Sequence, residues 1–135
     1  MTKRHFFLAI DPPTKTQQEH RIGKRKDGSM YFYEERDLKE ARNKLKHALA
    51  HHAPEEPETG PIRLLVKWCF PAGSHKPGSY KTTRPDTDNL NKMLKDEMTK
   101  LGFWKDDALV TSEIIEKFWS DVVGIYIEIE RLEDD

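Results

Sequence analysis

Residues 62–70 follow a period of two: Ile62, Leu64, Val66, Trp68 and Phe70 are apolar or aromatic, with Arg63, Leu65, Lys67 and Cys69 between them. A period of two places the first set on one face, which predicts a strand with that face fully buried, ending at Pro71. Residues 5–10 read as a shorter strand that stops at Pro12-Pro13. Met30, Tyr31, Phe32 and Tyr33 read as another, opened by the Asp27-Gly28 turn, with residues 21–26 as a basic loop between the two. Elsewhere the period changes to three and four. Leu38, Ala41, Leu45, Ala48, Leu49 and His52 predict a helix over residues 37–52. Leu90, Met93, Leu94, Glu97, Met98 and Leu101 predict a second, with Asp88 or Asn89 as N-cap and Gly102 as its stop. Residues 53–61, rich in Pro and Glu, make a connector, and residues 72–85, rich in Gly, Pro and Ser, make a mobile basic loop. Residues 109–119 and 122–130 read as two closing strands joined by a tight turn at Ser120-Asp121, with Val123, Ile125, Ile127 and Ile129 on one face. The order ββαβαββ predicts an α+β fold, a mixed sheet flanked by two main helices, in one domain over residues 1–135. No internal repeat is present.

Composition narrows the class. A chain of 135 residues can bury roughly two-thirds of its unfolded surface and needs no staples. Cys69 is the only cysteine, so no internal disulfide exists, and its neighbours Trp68 and Phe70 suit a small buried side chain rather than a nucleophile. No apolar run approaches the roughly 20 residues that span a bilayer, and the apolar start ends at Asp11-Pro12-Pro13 before a cleavage region could form. A soluble, cytoplasmic protein with no membrane partner is expected. The net charge of −1 lacks the basic excess of many DNA binders, but the charge is unevenly spread. Residues 3–26 hold seven Lys or Arg against two acids, and residues 67–84 hold four bases and no acid. Solvated faces would give the same pattern, so charge alone decides nothing.

The acids of interest bracket the second predicted helix. Asp86 and Asp88 precede it, near its positive N-terminal end, and Asp106 and Asp107 follow it. Asp107 joins the first pair only if the chain after Gly102 turns back along the helix. Lys92, four residues after Asp88, falls on the same side one turn on. Phosphodiester hydrolysis needs a placed water, neutralised phosphate oxygens and a stabilised leaving alkoxide, and magnesium held by a few carboxylates supplies these. Each element also has a plain structural use: Asp-x-Asp before a helix as a cap, Asp-Asp as a turn, and Lys92 with Asp88 as a surface pair.

The ordered series Arg84-Pro85-Asp86-Thr87-Asp88-Asn89-Leu90-Asn91-Lys92, followed one helix later by Gly102-Phe103-Trp104-Lys105-Asp106-Asp107, is more specific. It resembles the signature of the RusA family of Holliday junction resolvases, an Asp-x-Asp-Asn-Leu-x-Lys block and a Gly-Phe-(Trp)-x-Asp-Asp block. The match is specific over residues 84–110 and thin before Pro71. The resemblance implies catalytic roles for Asp86, Asp88, Asp107 and Lys92, with Asp86, Asp88, Asp107 and the neighbouring acid Asp106 as metal ligands. It implies Mg2+ as cofactor, with Mn2+ as a substitute, and a homodimer whose partner is branched DNA and which resolves four-way junctions by paired cuts in recombination and repair. The family's frequency in prophage points to a phage origin. Arg21, Lys24, Arg25, Lys26, Lys76, Lys81 and Arg84 are then the candidate DNA-binding residues, through salt-sensitive phosphate contacts. Tyr80 could stack on an unpaired base or simply pack nearby. The apolar edge of the first or the final strand is the expected dimer surface.

Other readings explain less. His47 and His51 have the i, i+4 spacing of half a zinc site but lack a second ligand pair. The aromatics Trp104, Phe118 and Trp119 read as core. A paired-carboxylate glycosidase gives no role to Lys92, to the third aspartate or to the basic segments. The alternative from another class is a non-catalytic module that binds branched DNA or a protein partner and keeps the acids for folding. Metal dependence separates the two.

Overall fold

A computed structural model describes residues 3–16, 21–24, 26–27, 30–33 and 36–133. Four strands form a mixed sheet in the order β1-β6-β4-β5: β1 (Lys3–Leu8), β4 (Ile62–Pro71), β5 (Val110–Ser120) and β6 (Gly124–Arg131). β2 (Arg21–Lys24) and β3 (Met30–Tyr33) form a separate antiparallel pair. There are two main helices, α1 (Arg36–Ala50) and α2 (Thr87–Lys100), and a short 3-10 helix precedes β5.

The alternating segment lies inside the sheet, as its apolar face requires. Ile62, Leu64, Val66 and Trp68 are 0% exposed and Phe70 3%, packed with Leu38, Leu45 and Leu49 of α1 and Leu90, Met93, Leu94 and Met98 of α2. Each such side chain contributes about 1.5–3 kcal/mol by leaving water, so this layer dominates the fold's stabilisation. The reverse face is polar and half-buried, with Arg63 paired to Glu130 (3.3 Å) and Lys3 to Glu128 (3.6 Å).

β4 runs parallel to β5 and antiparallel to β6. Parallel neighbours need a long crossover, and α2 supplies it, so both ends of α2 are tied to the sheet. The short link between β5 and β6 is present, but the two strands do not pair with each other as tight turns usually arrange. β4 lies between them, because its buried face draws a partner to each side and Ser120 accepts a hydrogen bond from the Ala72 amide just beyond its end. The final strand is therefore interior, and β1 and β5 are the sheet's edges, which removes the final strand's edge as a docking surface.

Three further expectations change. Arg21–Lys24, expected within a loop, forms β2 in register with β3. α2 begins earlier than expected, with Asp86 rather than Asp88 or Asn89 at the N-cap. Residues 72–85, expected to be mobile, are pinned along β5: Gly78 N–H donates to Trp119 O (2.7 Å), Lys81 N–H to Lys117 O (2.9 Å) and Trp119 N–H to Ser79 O (2.9 Å). Among the aromatics, Trp104 is buried core (1% exposed), whereas Phe118 stacks on Tyr80 at 4.9 Å.

Candidate active site

The approach to α2 is fixed from below by β5. Lys117 faces the helix layer, in register with buried Trp68, and its Nζ donates to Thr83 O and Pro85 O, both at 2.7 Å. These two carbonyls immediately precede Asp86. The Asp86 backbone is extended (φ −73°, ψ 148°) and its carboxylate makes no capping hydrogen bond. The plain use of Asp-x-Asp as a cap thus fails for the residue that occupies the cap, leaving an exposed carboxylate at the positive end of α2.

The second acidic block returns to the first. α2 is about 21 Å long at 1.5 Å per residue, and the five steps from Gly102 to Asp107 reach at most about 17 Å when extended. That return is steered by a buried anchor. Gly102 (φ 82°) lets the chain leave the helix, Phe103 and Trp104 are each 1% exposed, and Trp104 Nε1 donates to Thr99 Oγ1 at 2.7 Å. From outside, Glu58 N–H donates to Phe103 O and Lys105 N–H to Glu58 O, each at 3.1 Å, while Arg131 grips the Glu58 carboxylate through Nε (3.0 Å) and Nη2 (3.1 Å). The acidic connector is thus a brace for the turn that carries Asp106 and Asp107.

That turn separates the two acids. Asp106 Oδ1 accepts from Ala108 N–H at 2.9 Å and caps the short 3-10 helix Asp107–Leu109. One carboxylate oxygen of Asp106 is thus engaged in this cap, and Asp106 is not among the residues that line the cleft beside α2. Asp107 does line the cleft, a space of about 290 Å³ shared with Asp88, Asn91, Lys92, Lys95, Asp96 and Glu113. Lys92 pairs there with Asp96 (3.8 Å) rather than with Asp88. Asp86, at the N-cap two residues before Asp88, is not among the lining residues. Among the described residues, no three His, Cys, Asp or Glu side chains lie close enough to form a ready-made ligand set. A second cleft of about 300 Å³ lies between residues 10–15 and α1, but Asp11, Asp37 and Glu40 are interspersed there with Lys15 and Lys44, and neither sequence block reaches it.

The candidate DNA contacts divide. Lys76 and Arg84 are exposed on the segment clasped to β5, and Lys26 is exposed in the β2–β3 turn. The backbones of Arg21 and Lys24 lie on β2, and Arg25 lies outside the described residues. Lys81 is not available at the surface. It is 8% exposed, its Nζ donates to Thr83 Oγ1 (2.5 Å), and it lies 4.2 Å from the Trp119 ring centroid. Burial first, and then the Lys117 charge, pull its pKa below the usual lysine range. Tyr80 is 61% exposed, and its hydroxyl donates to Glu116 at 3.0 Å, which raises its pKa. Burial pushes the Cys69 thiol up, so it carries little thiolate, in keeping with a structural cysteine.

Glu113, Asn91, Lys95 and Lys117 were not among the residues expected in the site. The available signal was a polar interruption of an inward set: Glu113, Ile115, Lys117 and Trp119 share the helix-facing side of β5.

Residues 11–130 match the family Endodeoxyribonuclease RusA. The chain is 34% identical over 134 residues to the crossover junction endodeoxyribonuclease rusA of Lactococcus phage r1t, covering 97% of this chain and 95% of that protein. It is also 30% identical over 95 residues to the uncharacterized protein YqaN of Bacillus subtilis (strain 168), covering 62% of this chain and 66% of that protein. With the two acidic blocks folded onto one cleft and the match spanning most of its length, the chain belongs to the RusA family of endodeoxyribonucleases.

Proposed function

We propose that this chain is a divalent-metal-dependent endonuclease that resolves four-way DNA junctions by paired cuts, acting as a homodimer in the cytoplasm during recombination and repair. One observation carries the proposal: Asp88 and Lys92 from the first turns of α2, and Asp107 from the block after its far end, line one cleft. The phage relative bears the junction-cutting name over nearly its full length. No described helix is long and apolar enough to cross a membrane.

The donor chemistry fits magnesium. Exposed carboxylates around a solvent-open cleft offer hard oxygens without a closed cage, which suits an ion that keeps several waters and reaches substrate phosphate, with manganese as a substitute. Asp86, Asp88 and Asp107 would hold it. Such an ion, when bound, neutralises phosphate oxygens and makes a bound water more acidic. The chain's own groups do the rest. The N-terminal end of α2 draws the anionic backbone toward Asp88, and Lys92, 58% exposed, can leave Asp96 for a phosphate oxygen or the leaving alkoxide. Exposed Lys76 and Arg84 would hold the DNA arms by charge. Two such sites related by a two-fold axis match the two opposed strands of a junction.

The test is cleavage of a labelled four-way junction beside a matched linear duplex, with magnesium or chelator, for wild type and Asp88→Asn. Paired cuts confined to the junction, dependent on magnesium and absent in the variant, are expected. Binding without cutting under every condition would leave a DNA-binding module instead.

A further inference from the structure

Glu113 occupies a place that a strand does not usually give a charge. Its backbone is in register with buried Leu64, so its side chain rises on the helix-covered face of β5 toward α2. Both carboxylate oxygens are gripped from α2: Lys95 Nζ donates to Oε1 at 2.6 Å and Asn91 Nδ2 to Oε2 at 2.7 Å. Glu113 lines the same cleft as Asp88 and Asp107.

Asn91 reveals what this arrangement demands. It is 3% exposed and sits on α2 among Leu90, Met93 and Leu94, where an apolar side chain would pack without penalty. Its Oδ1 is buried and has no hydrogen-bond partner. Turning the amide over would set oxygen against the Glu113 carboxylate, so the orphaned acceptor follows from the bond to Glu113. A buried acceptor without a partner opposes folding, and this one is retained for a single bond that aims a carboxylate into the cleft.

We infer that Glu113 is a fourth acid of the metal site beside Asp86, Asp88 and Asp107, holding the divalent cation directly or through one of its waters, with Asn91 and Lys95 as its positioning residues. The inference rests on the metal-dependent reading above. Each carboxylate oxygen keeps a lone pair beyond the one it gives to α2, so the grip orients Glu113 without exhausting it. The two bonds from α2 hold Glu113 in place, and an acid already fixed needs no ordering when the ion arrives.

The full-length chain should be titrated with Mn2+ alone, by calorimetry or by the free-ion electron paramagnetic resonance signal, for wild type, Glu113→Gln and Asn91→Leu. Thermal unfolding in chelator and junction cleavage against metal concentration run alongside. Glu113→Gln keeps size and hydrogen-bonding capacity, and Asn91 can turn its amide to meet the new donor. Its Mn2+ affinity should fall tenfold or more at a near-wild-type melting temperature, with cleavage partly recovered at high metal. Asn91→Leu should melt in chelator at or above the wild-type temperature and bind Mn2+ several-fold more weakly. Wild-type Mn2+ affinity in both variants, with junction cleavage intact, would overturn the role of Glu113 and leave the proposed function standing. A wild type that neither binds Mn2+ nor cuts the junction would bring down both.

Discussion

Replacing Lys117 by Met tests whether the approach to α2 is held from β5. The ammonium donates to Thr83 O and Pro85 O at 2.7 Å, one bond exposed and one partly buried, and the segment it fixes leads directly into Asp86 and Asp88. Hydrogen bonds to charged groups contribute about 1.5–3 kcal/mol, but water can take over at the exposed carbonyl, so the net loss should be about 1–2 kcal/mol. For a chain of this size that lowers Tm by about 3–8 °C. The effect on rate should be larger than stability implies. A displacement of about 1 Å at a reacting group can cost about 100-fold, so kcat on a four-way junction should fall about 10- to 100-fold. Junction binding in chelator should change by less than about threefold, because the Lys117 ammonium is engaged with two loop carbonyls. Single-turnover cleavage, a binding titration in chelator and a thermal melt separate these quantities. A variant that melts lower yet cleaves at the wild-type rate would refute the reasoning, since it would show the loop keeping its place without the lysine.

Asp107→Asn should abolish cleavage while Asp106→Asn retains most of it, because asparagine caps a helix about as well as aspartate; Asp106→Ala should cost about 1 kcal/mol in a denaturant melt. Lys76→Ala should make the salt dependence of junction binding shallower by about 0.9 in log–log slope, whereas Lys81→Met, buried against Trp119, should leave the slope unchanged. Gly124→Ala should destabilise the fold by about 1–3 kcal/mol or more, read from urea melts, because the added methyl group would collide with the Leu8 carbonyl and the Phe7 ring and push β1 off β6. The hydrogen bond from the Tyr126 hydroxyl, and then the Lys3 charge, hold Glu128 below its ordinary value of 4.5, so its contribution is present above that pH and is lost as pH falls through the lowered folded value. Urea melts between pH 3 and 7 should therefore show a flatter acid limb for Glu128→Gln, and an unchanged limb would remove Glu128 from the account.

The elements were legible wherever a period was long. Nine residues at a period of two located β4, and two stripes at spacings of three and four located α1 and α2. What the period could not carry was the neighbour of each strand. β5 and β6 look like a hairpin because local spacing records the turn but not the competing face of β4, which is distant in sequence. The same distinction governs the site. Asp88, Lys92 and Asp107 were legible because two compact blocks carry them, whereas Glu58, Glu113 and Lys117 act through partners 45, 22 and 34 or 32 residues away.

These less legible residues share a position: each is a charged group set against a layer that the apolar pattern reserves for burial or bracing. On β5 the helix-facing series Glu113, Ile115, Lys117, Trp119 is half apolar, and its two charged members hold the cleft and the loop that leads into it. A strand whose inner face were wholly apolar would pack more simply against α2, but it would leave the approach to Asp86 unfastened. The departures from the folding pattern on β5 thus coincide with the parts that prepare the site, which is where a fold constrained by chemistry as well as packing should depart from it.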